Sequence, residues 1–296
     1  HTRLQGDWSS DVCSSDLERS AKRSAEEHMT ISRGTRYLLL SLVGVCLTFI
    51  YMPLTVVVIN SFNPSRTFSW PPERLTTIWW SKAVENTGVR EALRWSVTAG
   101  LIAAGIALLL GTCIAFAVAR YSFFGRETLS LLVVLPISLP GIVTGIALNN
   151  AFTQDFGIST GLLTIIIGHT TFCIVVVYNN VLARLRRMGG SLQEASMDLG
   201  ADGITTFRLV TLPNLASALF AGAILAFGLS FDEIVVTTFT AGPGIQTLPI
   251  WIYNNLFRPN QAPIVNVVAA TLILFSLIPI YLSQRLSSDS ATGGRF

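Results

Sequence analysis

Asp232 and Glu233 stand side by side in LAFGLSFDEIVVTTFT, the only adjacent carboxylates close to a long uncharged run. Ionisable groups near a hydrocarbon layer are costly, so such a pair takes a functional reading first. Two acids at the mouth of a pathway would attract a diffusing polycation. On a helix running from Pro213, Asp232 lies roughly 28 Å along the axis, near the far side of a bilayer core. The alternative is a hydrated helix end whose acids pair with Arg258 or with a partner subunit. Trp251 and Tyr253 could stack on alkyl-ammonium groups by cation–π contact, although aromatic residues at that level also serve as interfacial anchors. His169 could line the pathway or make an interhelical hydrogen bond, and Asn149 and Asn150 read as interface residues. Cys13, Cys46, Cys113 and Cys173 are widely spaced and give neither a disulfide framework nor a metal site. The chain has no G-x-x-x-x-G-K-[ST] phosphate loop, no H-E-x-x-H and no credible Ser/His/Asp set. Catalysis, a bound cofactor and a bound metal are therefore not expected of it.

These side chains must be positioned by elements that live in oil. Only 12% of the 296 residues are charged, about half the share in an average soluble domain. The net charge of +3 comes with no basic stripe interleaved with aromatics, which excludes nucleic acid as an expected partner and leaves lipid. Uncharged runs of about 20 residues, enough for roughly 30 Å of hydrocarbon, fall at 38–59, 95–119, 129–148, 161–182, 216–238 and 263–282. The expected fold class is an all-α integral membrane protein with six transmembrane helices spread over residues 29–288. The uncharged stretch 234–257 is interrupted by AGPGIQTLP and is placed in an outer loop or a protein-lined cavity, because irregular backbone is not tolerated against lipid. Residues 1–28 are polar and aperiodic and read as an upstream artefact or a disordered tail. Residues 289–296 read as a short cytoplasmic tail.

Basic residues in the short flanks set the orientation. Arg33, Arg36, Arg120, Arg126, Arg184, Arg186, Arg187, Arg208 and Arg285 fall on one side. The opposite loops carry only Arg258, apart from the first, where Arg66, Arg74, Lys82, Arg90 and Arg94 are diluted by Glu73, Glu85 and Glu91. Both termini and the loop 190–213 are thus expected in the cytoplasm.

That loop reads like a piece of a soluble protein. Ser191 and Glu194 form an S-x-x-E capping box, and Leu192, Ala195 and Leu199 share a helix face. Gly200 sits where a left-handed residue would end the helix. Asp202 can cap a second short helix carrying Ile204, Phe207 and Val210, and Pro213 opens the fifth span. A helix of eight residues is marginal in water and needs docking partners. It either lies on the bilayer or offers one face to something else in the cytoplasm.

The pattern EAS-x3-G-x9-V-x-LP, from Glu194 to Pro213, resembles the EAA loop of ABC-importer permeases, EAA-x3-G-x9-I-x-LP, with Ser196 and Val210 as mild departures. The resemblance implies the type I ABC importer permease fold, with a cytoplasmic coupling helix between spans four and five. It also implies an ATPase contact made by Glu194, Ala195, Ser196, Asp198, Gly200, Leu212 and Pro213. LARLRRMGGSLQEASMDLGA, LAFGLSFDEIVVTTFTAGPGIQTLPIWIYNNL and LPISLPGIVTGIAL are similar to the polyamine (spermidine/putrescine) permease subfamily, over roughly residues 36–286. Asp232, Glu233, Trp251 and Tyr253 are the candidates for its substrate pathway. The implied partners are a cytoplasmic ABC ATPase dimer, which would use ATP and Mg, a second permease subunit in a heterodimer, and a periplasmic substrate-binding protein. The implied location is the bacterial inner membrane. Against this stand a permease for another small solute, an ion-coupled secondary transporter, for which only His169 offers a deep titratable group, and an intramembrane enzyme.

Overall fold

Every element among the described residues is a helix, the form that satisfies backbone groups internally where no water reaches them. The computed structural model describes residues 32–66 and 69–276; the expected segments 1–28 and 289–296 lie outside them. The chain divides into two units, His1–Val56 and Val57–Phe296, and α1 (Arg33–Asn60) begins in the first. There follow α2 (Ile78–Glu85), α3 (Thr87–Arg120), α4 (Arg126–Ser138) and α5 (Gly141–Asn150), the last continued by a π-turn, Ala151–Asp155. Next come α6 (Leu162–Arg187), α7 (Ser191–Asp198), α8 (Gly203–Thr206), the π-turn Phe207–Thr211 and α9 (Leu212–Phe231). The second unit closes with α10 (Val235–Thr240), α11 (Leu248–Asn255) and α12 (Ala262–Ser276).

The core is built on close approach. On α3, Ala92, Ser96, Ala99, Ala103, Ala107, Gly111 and Ala115 recur every three or four residues and are all buried. With no bulky side chain on this stripe, α6 packs almost backbone to backbone against it, and Gly111 lies against Ile174 and Val177. Tyr178, Val177 and Val181 of α6 and Leu215 and Ala226 of α9 complete the same cluster. A second cluster, around Trp79, Leu248, Trp251 and Ile264, ties α2, α11 and α12 together.

Among the described residues four helices are long and apolar enough to cross a membrane: α1, α3, α6 and the continuous rod Gly203–Phe231. The expected third span is instead two helices, Arg126–Ser138 and Gly141–Asp155, bent by 104°. Pro140 causes the break: it lacks an N–H and forces Leu139 into an extended conformation (φ −84°, ψ 144°). The expected fifth span stops at Phe231, seven residues early, and α10 is a separate short helix. The expected sixth span is seen as α12 up to Ser276, its remainder lying outside the described residues.

The irregular stretch after α10 is lined by protein. Thr164 Oγ1 donates to Thr240 O (2.7 Å) and Leu248 N–H donates to Ser96 Oγ (2.7 Å). Gly242 lies so close to the Thr160–Gly161 backbone that a β-carbon would overlap the Thr160 carbonyl.

Candidate functional site

The loop 190–213 folds as two short helices, but not with the expected cap. The N-cap of α7 is Gly190, and Ser191 is its first residue, with no capping bond from its hydroxyl. Gly189 turns the chain at φ +56°, which presents the Gly190 carbonyl to the N–H groups of Gln193 and Glu194, both at 3.0 Å. The main chain thus starts the helix, and the Glu194 carboxylate folds back beside Gly190. The other end is as the sequence predicts. Ala201 N–H donates to Ser196 O and Gly200 N–H to Met197 O, a Schellman closure with Gly200 left-handed at φ +87°. Asp202 Oδ1 accepts from Thr205 N–H at 2.9 Å. Hydrogen bonds from the Thr205 side chain and backbone hold this carboxyl below the usual carboxylate range.

α7 rests on the bundle by its polar face. Gln193 Nε2 donates to Thr211 Oγ1 (2.9 Å), and the Ser196 and Thr206 hydroxyls bond at 3.0 Å; Thr206 and Thr211 are buried. The apolar residues point away: Leu199 is 90% and Ile204 77% exposed, with Leu192 and Met197 about half exposed. Glu194, Ala195, Asp198 and Gly200 share this open side, and Ser196 is half-buried.

Leu212 and Pro213 do not begin a separate helix. Pro213 cannot donate to a carbonyl four residues back, and the chain answers with the π-turn Phe207–Thr211 just before it. Asn214 Nδ2 donates to Val210 O (2.7 Å), satisfying one loosened carbonyl. α8 and α9 are therefore one rod from Gly203 to Phe231.

At the far end of that rod lie the two acids. Asp232 is exposed, and its N–H still closes α9 on Gly228 O (3.1 Å). Glu233 is half-buried, and its Oε1 accepts from Val236 N–H (2.8 Å), which starts α10. Among the described residues neither carboxylate has an ion-pair partner, so pairing with Arg258 within the chain is not observed. His169 is fully buried and bonds across helices, its Nδ1 2.7 Å from Ser230 Oγ and its Nε2 2.8 Å from Thr237 Oγ1. Asn149 donates to Phe239 O (2.6 Å), an interface bond between α5 and α10.

The two aromatic candidates part company. Trp251 is buried in the Trp79 cluster, with its indole nitrogen against Gly88, which leaves no ring face for a solute. Tyr253 is 63% exposed and lines an open cavity of about 300 Å³ with Thr238, Gln246 and Asn254. Ser230 and Thr237 escaped the sequence reading; two hydroxyls bracketing an acidic pair are visible there, but not the histidine that joins them.

Among the described residues the chain is an all-helical bundle with membrane-length apolar helices and a docked two-helix loop whose apolar side faces outward, an architecture suited to a transport permease. Residues 96–289 match the family described as "binding-protein-dependent transport system inner membrane component", and the chain belongs to that family: it is a multi-pass inner-membrane permease subunit of an ABC importer. It is 34% identical over 245 residues to the spermidine/putrescine transport system permease protein PotC of Escherichia coli (strain K12), covering 83% of this chain and 92% of that protein. To the putrescine transport system permease protein PotI of the same strain it is 34% identical over 234 residues, 77% and 82% of the two chains. A solved bacterial alginate ABC transporter, in complex with an alginate pentasaccharide-bound periplasmic protein, shares the fold. There the TM-score is 0.62 at 13% identity, over 95% of this chain and 99% of that one.

Proposed function

We propose that this chain is one half of a polyamine importer, driven through its loop 190–213 by a separate ATPase dimer that binds ATP and Mg. The observation that carries the coupling is the inverted polarity of α7: its polar face is spent on Thr206 and Thr211, and its apolar residues are presented outward. Exposed Leu199 and Ile204 with Glu194, Ala195 and Gly200 form a small surface suited to a protein cleft. The substrate class is supported by the polyamine permeases to which the chain is similar and by two unpaired carboxylates at the α9–α10 break. A second permease subunit completes the pathway and a periplasmic binding protein delivers the solute. Both termini face the cytoplasm, so a reporter fused after Asp155 reads as periplasmic.

The test is uptake of radiolabelled putrescine and spermidine into cells expressing the complete transporter. Uptake persists after collapse of the membrane potential and stops on depletion of ATP; the reverse pattern would make the protein an ion-coupled transporter. Glu194→Arg abolishes ATPase co-purification. Asp232→Asn with Glu233→Gln raises the apparent KM, and an unchanged KM would remove the acids from the pathway.

A further inference from the structure

His169 is a fully buried titratable side chain that the transport reading leaves unused. We propose that it is a positioning residue: it fixes the break between α9 and α10 and thereby the placement of Asp232 and Glu233. As a statement about substrate affinity this rests on the reading of those acids above; as a statement about the break it does not.

The hydrogen bonds determine where the protons are. The Thr237 hydroxyl donates to the carbonyl of Glu233 (2.8 Å). Its one proton is thus spent, and its oxygen must accept from His169, so Nε2 carries the ring proton. Nδ1 is then the acceptor, and the Ser230 hydroxyl donates to it. One turn back, the Cys173 thiol of α6 donates to the Ala226 carbonyl (3.2 Å), a second tie between α6 and the end of α9. The result is a directed chain: Ser230 to His169, His169 to Thr237, Thr237 to the backbone of Glu233. It starts in the last turn of α9, crosses α6 and ends on the site acid itself. Within Glu233 the chain is completed by the carboxylate, which accepts from Val236 N–H. Rotation of α10 relative to α9 therefore breaks either the His169–Thr237 bond or the His169–Ser230 bond. A broken membrane helix is free to pivot unless its loosened groups are held, and this one is held on both sides of the break by one ring. α10 is braced from the opposite side by α5, where Phe239 covers Gly145 and its carbonyl takes the Asn149 amide.

The experiment uses the complete transporter, permease pair with ATPase, in proteoliposomes. Cys13, Cys46 and Cys113 are replaced, Cys173 is kept, and Asp232→Cys provides a label site for a membrane-impermeant maleimide. Three variants are compared. Thr237→Val keeps the shape and removes the relay, Thr237→Ser restores the hydroxyl, and His169→Phe fills the space without hydrogen bonds. Labelling is expected to change about fivefold in Thr237→Val and His169→Phe, the worth of one hydrogen bond, and to return to the parental rate in Thr237→Ser. Unchanged labelling in both overturns the proposal. With native Asp232, the same two variants raise the KM for putrescine uptake per folded transporter by a similar factor, and Thr237→Ser does not. Reduced folded protein at unchanged KM and unchanged labelling would mean a packing role only and refute positioning. Altered labelling with unchanged KM upholds the pin and removes the acids from substrate binding, so the two readings fail separately.

Discussion

A single methyl group, added at two places on α3, separates close packing from helix propensity. At Gly111 a β-carbon would stand 3.0 Å from Ile174 O, Val177 Cβ and Val177 Cγ1. Ordinary carbon contacts need about 3.5–4.0 Å, so α3 and α6 must part by roughly 0.5–1 Å. One obstacle is main chain and another is a Cβ fixed to it, so neither can swing aside. Overpacking of this kind costs about 1–3 kcal/mol, against which alanine returns about 0.5–1 kcal/mol of helix preference over glycine. Gly105, on the same helix, has nothing within 4 Å of its β-carbon position, so Gly105→Ala keeps only the gain. Relative to the parent, Gly111→Ala is expected to be destabilised by about 0.5–2 kcal/mol and Gly105→Ala stabilised by about 0.5–1 kcal/mol. The assay is reversible unfolding in sodium dodecyl sulfate followed by tryptophan fluorescence. If both substitutions shift the midpoint the same way, α3 and α6 are not held by close approach and the core described here is wrong.

Gly200→Ala forces a left-handed alanine where nothing obstructs the side chain, so it costs about 1–2 kcal/mol in backbone alone; Gly200→Asn costs less, and ATPase co-purification should fall in that order. The Asp202 cap has a defined pH dependence. Its carboxyl is held low in the folded loop, so its contribution is complete above the ordinary carboxylate range and is lost as pH falls through the lowered value. Protection of the Thr205 amide in hydrogen exchange, corrected for intrinsic rates, should therefore be level above the normal aspartate range, fall as pH drops through that range toward the lowered value, and level off below it. Trp251→Ala should destabilise by about 3–5 kcal/mol as a buried aromatic truncation and leave the putrescine KM of the folded fraction unchanged. Tyr253→Ala should leave stability within about 0.5 kcal/mol and raise that KM.

How far the sequence reached depended on how local each cause was. The α3 stripe is written in the sequence as small residues three or four apart, a spacing that suits close helix packing in a membrane, but it was not read there as a stripe. Gly200 and Asp202 were legible because their hydrogen-bond partners lie within four residues. The capping box failed for a local reason as well: Gly189 and Gly190 offered the main chain a better start than the Ser191 hydroxyl. The polarity of α7 was not legible, since Gln193 and Ser196 are turned inward by Thr211 and Thr206, 18 and 10 residues away. Hydropathy runs count apolar length and are blind to bends, so the 104° bend at Pro140 was missed. The break after Phe231 has no proline or glycine to announce it. It is held by the Glu233 carboxylate and by a histidine more than 60 residues earlier.

Those non-local bonds decide where the permease can move. The rod Gly203–Phe231 has 29 residues, about 43 Å of helix, with the coupling loop at one end and the acids at the other. α6 grips it at both ends. Near the loop, Arg184 Nε donates to Asn214 O (2.9 Å); near the acids, Cys173 and His169 hold Ala226 and Ser230. A push on α7, on the coupling proposed above, would be delivered to α6 and the rod as one body. Compliance is left to the breaks at Gly200 and Leu139–Pro140, while the break at Asp232–Ile234 is pinned by His169. The last two are linked, because α5 and α10, which follow those breaks, pack directly on each other through Gly145 and Phe239. Motion of the α5–α10 pair against the α6–α9 body would have to break the His169–Thr237 bond, and the acids sit at that seam. On the coupling proposed above, the rod would carry a displacement at the loop 190–213 toward the carboxylates, and release of the His169 pin would let them move without unfolding any span.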